Sequence, residues 1–99
     1  MLENSVWKQY NQEININEVL NDFYKEEVSL SEDELFLHNV LKAKLTKKEF
    51  RLFAMDCAKI ADNVIKEKFS YNDDELKNAR KKLYKKLKQD KIKRALKEE

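Results

Sequence analysis

His38 is the only histidine of the chain and Cys57 its only cysteine, and neither has the surroundings that would make it reactive. His38 lies inside the apolar run LFLHNVL, with no Asp or Ser placed by spacing to pair with it, and reads as a core-edge or surface histidine. Cys57 falls on an apolar helical arc beside Ala54, Ala58 and Ala61, where it reads as a small buried hydrophobe; a reactive thiolate needs a cationic or helix-start setting. No two Cys or His residues share a metal-ligand spacing. The complete absence of glycine excludes a phosphate-cradling loop of the P-loop or Rossmann kind. Asp73, Asp74 and Glu75 could suggest a divalent-cation site, but acids are favoured in the first turn of any helix by the dipole. These residues point to a protein that is not an enzyme and carries no cofactor and no metal.

The chemistry that remains is charge. Residues 76–97 hold eleven Lys or Arg against one acid, Asp90, a net +10, whereas residues 1–34 hold nine acids against Lys8 and Lys25, a net −7. Overall the chain is only +2, so the two ends are strongly polarised. Lys77, Lys81, Lys85 and Lys88 fall in one solvent-facing helical row and Lys82, Lys86 and Lys93 in another. Two readings stand side by side: the acidic end neutralises the basic helix within the molecule, or the helix presents a polyanion-binding face. Nucleic-acid phosphate is the first partner such a helix implies, DNA before RNA, an acidic protein surface the second and a lipid surface the third. The candidate binding residues are Lys77, Asn78, Lys81, Lys82, Lys85 and Lys88, with Asn78 placed to read a base edge.

Those residues need a helical scaffold, and the composition supplies one. With neither glycine nor proline, 41% apolar and 40% charged residues, hairpin turns are disfavoured and an all-α fold with a dense charged surface is expected. Ninety-nine residues suit one domain, 1–99, divided into acidic N-terminal helices over 1–45 and a helical hairpin over 46–99. No apolar run is long enough to span a membrane, no secretory leader is visible at the start, and a lone cysteine suits the cytoplasm.

One local device sets the helix starts. Ile14-Asn15-x-x-Glu18-Val19, Leu30-Ser31-x-x-Glu34-Leu35, Leu45-Thr46-x-x-Glu49-Phe50 and Tyr71-Asn72-x-x-Glu75-Leu76 share a capping-box grammar with apolar flanks. The spacing predicts helices near 2–10, 16–28, 32–44, 47–69 and 73–97, a small bundle of four to five helices ending in a long C-terminal αα-hairpin. Helix 32–44 is apolar all round and is expected to be central, or to expose a patch for association. Phe50, Phe53, Ala54, Cys57, Ile60, Ala61, Val64 and Ile65 form an unbroken arc along helix 47–69. Beyond the turn at Ser70–Asp73, Leu76, Ala79, Leu83 and Leu87 lie back on that arc, while Ile92 and Leu96 drift off it and are expected to diverge from the core, fray or meet something else.

Residues 46–87 also carry a resemblance. Counting Ile65 as the fourth place of a helix-turn-helix puts Phe69, Tyr71, Leu76 and Ala79 at the other apolar places that lock its two helices together. The opening LTKKE and the run Ala79-Arg80-Lys81-Lys82-Leu83 resemble the C-terminal DNA-binding region of bacterial sigma factors (region 4) and related regulators. The resemblance implies two short helices, the second entering DNA as a recognition helix. Lys66 departs from the alanine usual where the helices touch, Ser70 from the glycine usual in the turn, and Asp73, Asp74 and Glu75 place acids where phosphate would approach. The unbroken arc instead favours one long helix and a plain αα-hairpin; a break near Ala58 to Ala61 with a steep crossing to helix 73–97 distinguishes the helix-turn-helix from it.

The alternative function is a protein-interaction or adaptor module. Trp7, Phe36 and Leu37 are its candidate partner surface, with a second copy of the chain among the candidate partners. The first piece, with Val6, Trp7 and Tyr10, is expected to pack an aromatic edge on the bundle in preference to docking on a partner.

Overall fold

The computed structural model describes residues 5–25 and 29–97. Over these the chain is all-α, with helices α1 (Val6–Tyr10), α2 (Ile16–Tyr24), α3 (Glu34–Lys44), α4 (Lys47–Cys57), α5 (Asp62–Phe69), α6 (Asp73–Leu87) and α7 (Asp90–Ala95). The expected starts at residue 2 and end at residue 28 lie outside the described residues, as do Glu3, Glu26 and Glu27 of the acidic segment. No helix among the described residues is long and apolar enough to cross a membrane.

The capping grammar closes fully at two of its four sites. The Thr46 hydroxyl accepts from the Glu49 N–H at 3.1 Å while Glu49 accepts from the Thr46 N–H at 2.8 Å, opening α4. Asn72 and Glu75 make the same exchange at 2.8 and 2.9 Å, opening α6. At α3 the cap moves to Asp33, whose Oδ1 accepts from Leu35 and Phe36, because Ser31 turns its hydroxyl to the Asp33 N–H. Glu34 is thereby released: it accepts from the Ile16 N–H at 3.0 Å and pairs with Lys8 at 3.6 Å, tying α3 to the start of α2 and to α1.

Both arms of the expected hairpin are broken. The first ends at Cys57; Lys59 turns left-handed at φ 58°, the Ile60 N–H closes on the Met55 carbonyl, and the chain restarts at α5 with Ala61 extended and no side-chain cap. Asp56 and Asp62 explain the break. Six places apart in one continuous helix, they would stand about 120° apart around its axis; broken, they both reach Arg80 of α6. The second arm ends at Leu87, and α7 begins after Gln89. In an unbroken helix Ile92 and Leu96 would point within about 20° of Lys81 and Lys85, into solvent. The break instead buries both completely, each contributing about 1.5–3 kcal/mol. These two residues therefore neither diverge nor fray: the Ser31 N–H donates to the Leu96 carbonyl at 3.0 Å, and Tyr24 Oη donates to the Leu87 carbonyl at 2.6 Å.

The most enclosed helix is α4, not the one over 32–44. It packs against α1, α3 and α6 and buries Phe50, Leu52, Phe53, Ala54 and Met55. Trp7 is fully buried, stacked on Phe53 with ring centroids 5.6 Å apart, and its indole N–H donates to the Ile14 carbonyl at 3.1 Å. Asn11 seals that corner, its amide donating to the carbonyls of Trp7 and Ala54. Trp7 and Leu37 are thus core residues, and of the expected partner surface only Phe36 reaches solvent, 39% exposed. A stretch of mixed apolar and charged residues could not reveal which aromatic the core would claim.

His38 is buried against the edge of Phe50, its Nδ1 3.3 Å from Asn39 Oδ1 and its Nε2 enclosed with no partner among the described residues. Burial holds its pKa below the ordinary histidine value; the Asn39 contact opposes that, Lys42 reinforces it and Glu34 opposes it. The folded-state pKa is therefore below the unfolded one, so this contribution to stability is full above the unfolded value near 6.5 and is lost as pH falls. The melting temperature of the wild type should fall between pH 7.5 and 5, and that of His38→Leu should fall less over the same interval.

Among the described residues, three without glycine's freedom take left-handed backbone: Lys25, Lys59 and Ser70, at φ 49°, 58° and 59°. A Cβ there costs about 1 kcal/mol, partly offset in a glycine variant by the freer unfolded chain. Ser70→Gly should raise stability by about 0.5 kcal/mol in urea unfolding.

Candidate nucleic-acid interface

The long helix α6 separates its charges by face. Leu76, Leu83 and Leu87 are buried, and Lys77, Asn78, Lys81, Lys82, Lys85 and Lys88 are all exposed. Lys77, Lys81, Lys82 and Lys85 hold no ion pair among the described residues, and Lys88 sits with its Nζ 5.9 Å above the Phe23 ring. The six candidate residues span one arc of about 140° on a regular helix.

The other cations of α6 are consumed inside the molecule. Arg80 turns inward: its Nη2 and Nε reach Asp56 Oδ1 of α4 at 2.8 and 3.1 Å, and Nη2 reaches Asp62 Oδ1 of α5 at 2.7 Å. Tyr84 Oη donates to Asp56 Oδ2 at 2.9 Å. The guanidinium between two carboxylates holds its proton even more tightly than usual, through Asp62 first and Asp56 second. Tyr84 is pushed well above the ordinary phenol value by burial and then by the neighbouring Asp56 charge. The same guanidinium draws Asp62 below the ordinary aspartate value. This cluster fastens α4, α5 and α6 together, and a bidentate Arg–carboxylate contact fixes orientation as well as distance. Lys86 donates to Glu49 Oε1 at 2.9 Å, so the row Lys82, Lys86, Lys93 is split: Lys82 is exposed on α6, Lys86 is paired, and Lys93 belongs to α7. Sequence spacing does not pair Arg80 with any carboxylate; the one visible trace of the cluster is Asp56, a carboxylate inside the apolar run LFAMDCA.

The segment joining α5 to α6 is three residues, Ser70 to Asn72. Ser70 takes the left-handed conformation, and the Tyr71 N–H closes on the Lys66 carbonyl at 2.8 Å. Ile65 and Leu76 are buried, and Phe69, Tyr71 and Ala79 are half-buried and packed on the core, with the rings of Phe69 and Tyr71 stacked 5.3 Å apart. Lys66 pairs with Asp73, and Glu75 is folded into its capping box. Of the three acids that open α6, only Asp74 has no such engagement among the described residues. On one flank of α6, Leu76, Lys77, Lys81, Tyr84 and Lys85 line an open groove; on the other, Thr46, Lys48, Tyr71, Asn78 and Lys82 line a second.

Cys57 has its thiol pushed up to about 12 by burial and by the neighbouring Asp56 charge, so it is protonated at neutral pH. Among the described residues no group of three or more His, Cys, Asp or Glu side chains could hold a metal ion. The chain matches no protein-family model, no curated protein and no solved structure significantly.

Proposed function

We propose that this protein is a non-enzymatic module, regulatory or accessory, that binds duplex DNA through the solvent face of α6. The observation that carries this reading is the division of charge on that helix. Arg80 and Lys86 are neutralised by carboxylates, while Lys77, Lys81, Lys82, Lys85 and Lys88 stand together on the outer arc without one among the described residues. Structural cations sit against acids; an unneutralised row along a rigid helix suits a polyanion, whose counterions it displaces. Asn78 lies within the arc and is the side chain suited to a bidentate contact with adenine.

The break between α4 and α5 is the feature that favours a helix-turn-helix of the sigma-factor region 4 type over a plain hairpin. The break at Ala58–Ala61 leaves α5 as a short helix before a three-residue turn and a longer basic helix. Two of the departures from that pattern have a local compensation, while Asp74 keeps its charge at the start of α6. Ser70 adopts the conformation that glycine usually supplies. Lys66, in the place of alanine, pairs with Asp73 and cancels one of the acids facing the phosphates. In this reading Arg80 is a positioning residue that sets the pitch of α6 on its two supporting helices.

A titration of labelled protein with a short duplex, followed by amide chemical shifts, tests the assignment. Perturbations should concentrate on Asp74–Lys88 and the turn before it. Shifts centred on α1 to α3, or none with DNA in excess at low salt, would overturn it.

A further inference from the structure

Phe36 and Val64 are the two large apolar side chains exposed among the described residues, and only Phe36 belongs to a continuing stripe. On α3, Phe36, Val40 and Ala43 follow helical spacing on one side, with Asn39 beside them; Phe36, Asn39 and Ala43 are exposed and Val40 is half-buried. The opposite side buries Leu37, His38 and Leu41, and α3 packs there on α2 and α4. The exposed stripe ends in Ala43, which lets a neighbouring backbone approach closely. Its ends carry opposite charge: Glu32 and Asp33 are exposed at the start, and Lys42 and Lys44 are exposed at the finish. Glu32, Lys42 and Lys44 hold no ion pair among the described residues.

We infer that this face of α3 is a homodimer contact, in which a second copy of the chain lays its own α3 antiparallel across the first. The charge pattern selects that occupant. A two-fold axis perpendicular to α3 brings each patch against itself in reverse, so the acidic start of one helix meets the basic end of the other at both ends of the contact. Antiparallel pairing also sets the two helix dipoles in opposition, which is the favourable sense. A parallel pairing would set like charge against like charge at both ends. The site lies on α3, apart from α6, so the inference stands or falls independently of DNA binding.

Sedimentation of the full chain without DNA, over a range of concentrations at low ionic strength, reads the result. The wild type should shift from monomer to dimer with rising concentration, and Phe36→Glu should weaken association more than about tenfold while its melting temperature stays close to the wild type's at concentrations where both are monomeric. Glu32→Lys and Lys44→Glu should each weaken self-association, and an equimolar mixture of the two should recover dimer, because the reversed charges then face one another. A wild type that stays monomeric up to about 1 mM, or a mixture no more associated than its two components, would overturn the inference.

Discussion

Replacing Lys77, Lys81 and Lys85 together by glutamine should lower the affinity for duplex DNA by about 100- to 1,000-fold at 50 mM salt while leaving the fold intact. The three side chains are exposed and hold no ion pair among the described residues, so no folded-state interaction is lost with their charge. Each phosphate contact contributes through released counterions, and the contribution grows as salt is lowered. The melting temperature should change by less than about 3 °C, as for other exposed substitutions. Lys86→Gln is the internal comparison. Lys86 already pairs with Glu49 at 2.9 Å, so its loss should cost stability and leave affinity nearly unchanged. Equal losses of affinity from both variants would remove the distinction on which the proposed face rests.

Asp56→Ala should be the most damaging single change near the interface, destabilising the chain by about 2–4 kcal/mol. The Asp56 side chain is 13% exposed and accepts three bonds from Arg80 and one from Tyr84. Its removal leaves a guanidinium with one exposed carboxylate and a half-buried phenol with no acceptor. For a chain of this length that loss corresponds to about 10–20 °C in melting temperature. Asp56→Asn should recover part of it, since the amide oxygen can still accept while the charge is gone. Below the unfolding transition the Asp56→Ala variant should also bind DNA more weakly although it touches none, because α6 loses one of its two anchors. A melting temperature within a degree or two of the wild type would show that α6 is held by its leucines alone.

How much of this was legible follows from what each feature depends on. Helix starts at Thr46 and Asn72 are local exchanges of hydrogen bonds between residues three apart, and sequence spacing reveals them directly. The exposed lysine arc of α6 is equally local, because Leu76, Leu83 and Leu87 fix which side faces inward. The first break was visible only as what the helix-turn-helix resemblance implies, against the unbroken apolar arc, and the second was not legible. Neither is marked by glycine or proline: Lys59 takes left-handed backbone at the first, and Lys88 and Gln89 keep negative φ at the second. Their causes lie in partners far along the chain: Arg80 gathers Asp56 and Asp62, and the core takes in Ile92 and Leu96. Trp7 illustrates the same limit. Nothing near it in sequence announces that Phe53, Ile14 and Asn11 would enclose it.

The central claim is that five unneutralised lysines on one face of α6 meet phosphate, and the salt dependence of binding counts those contacts. The measurement is fluorescence anisotropy of a labelled duplex titrated with the wild-type chain at several salt concentrations between about 50 and 200 mM. Each neutralised phosphate adds about −0.9 to the slope of log K against log salt, so five lysines predict a slope of about −4 to −5. The variant lacking Lys77, Lys81 and Lys85 should retain a slope near about −2. No measurable binding even at the lowest salt, or a slope that the triple substitution leaves unchanged, would contradict the account.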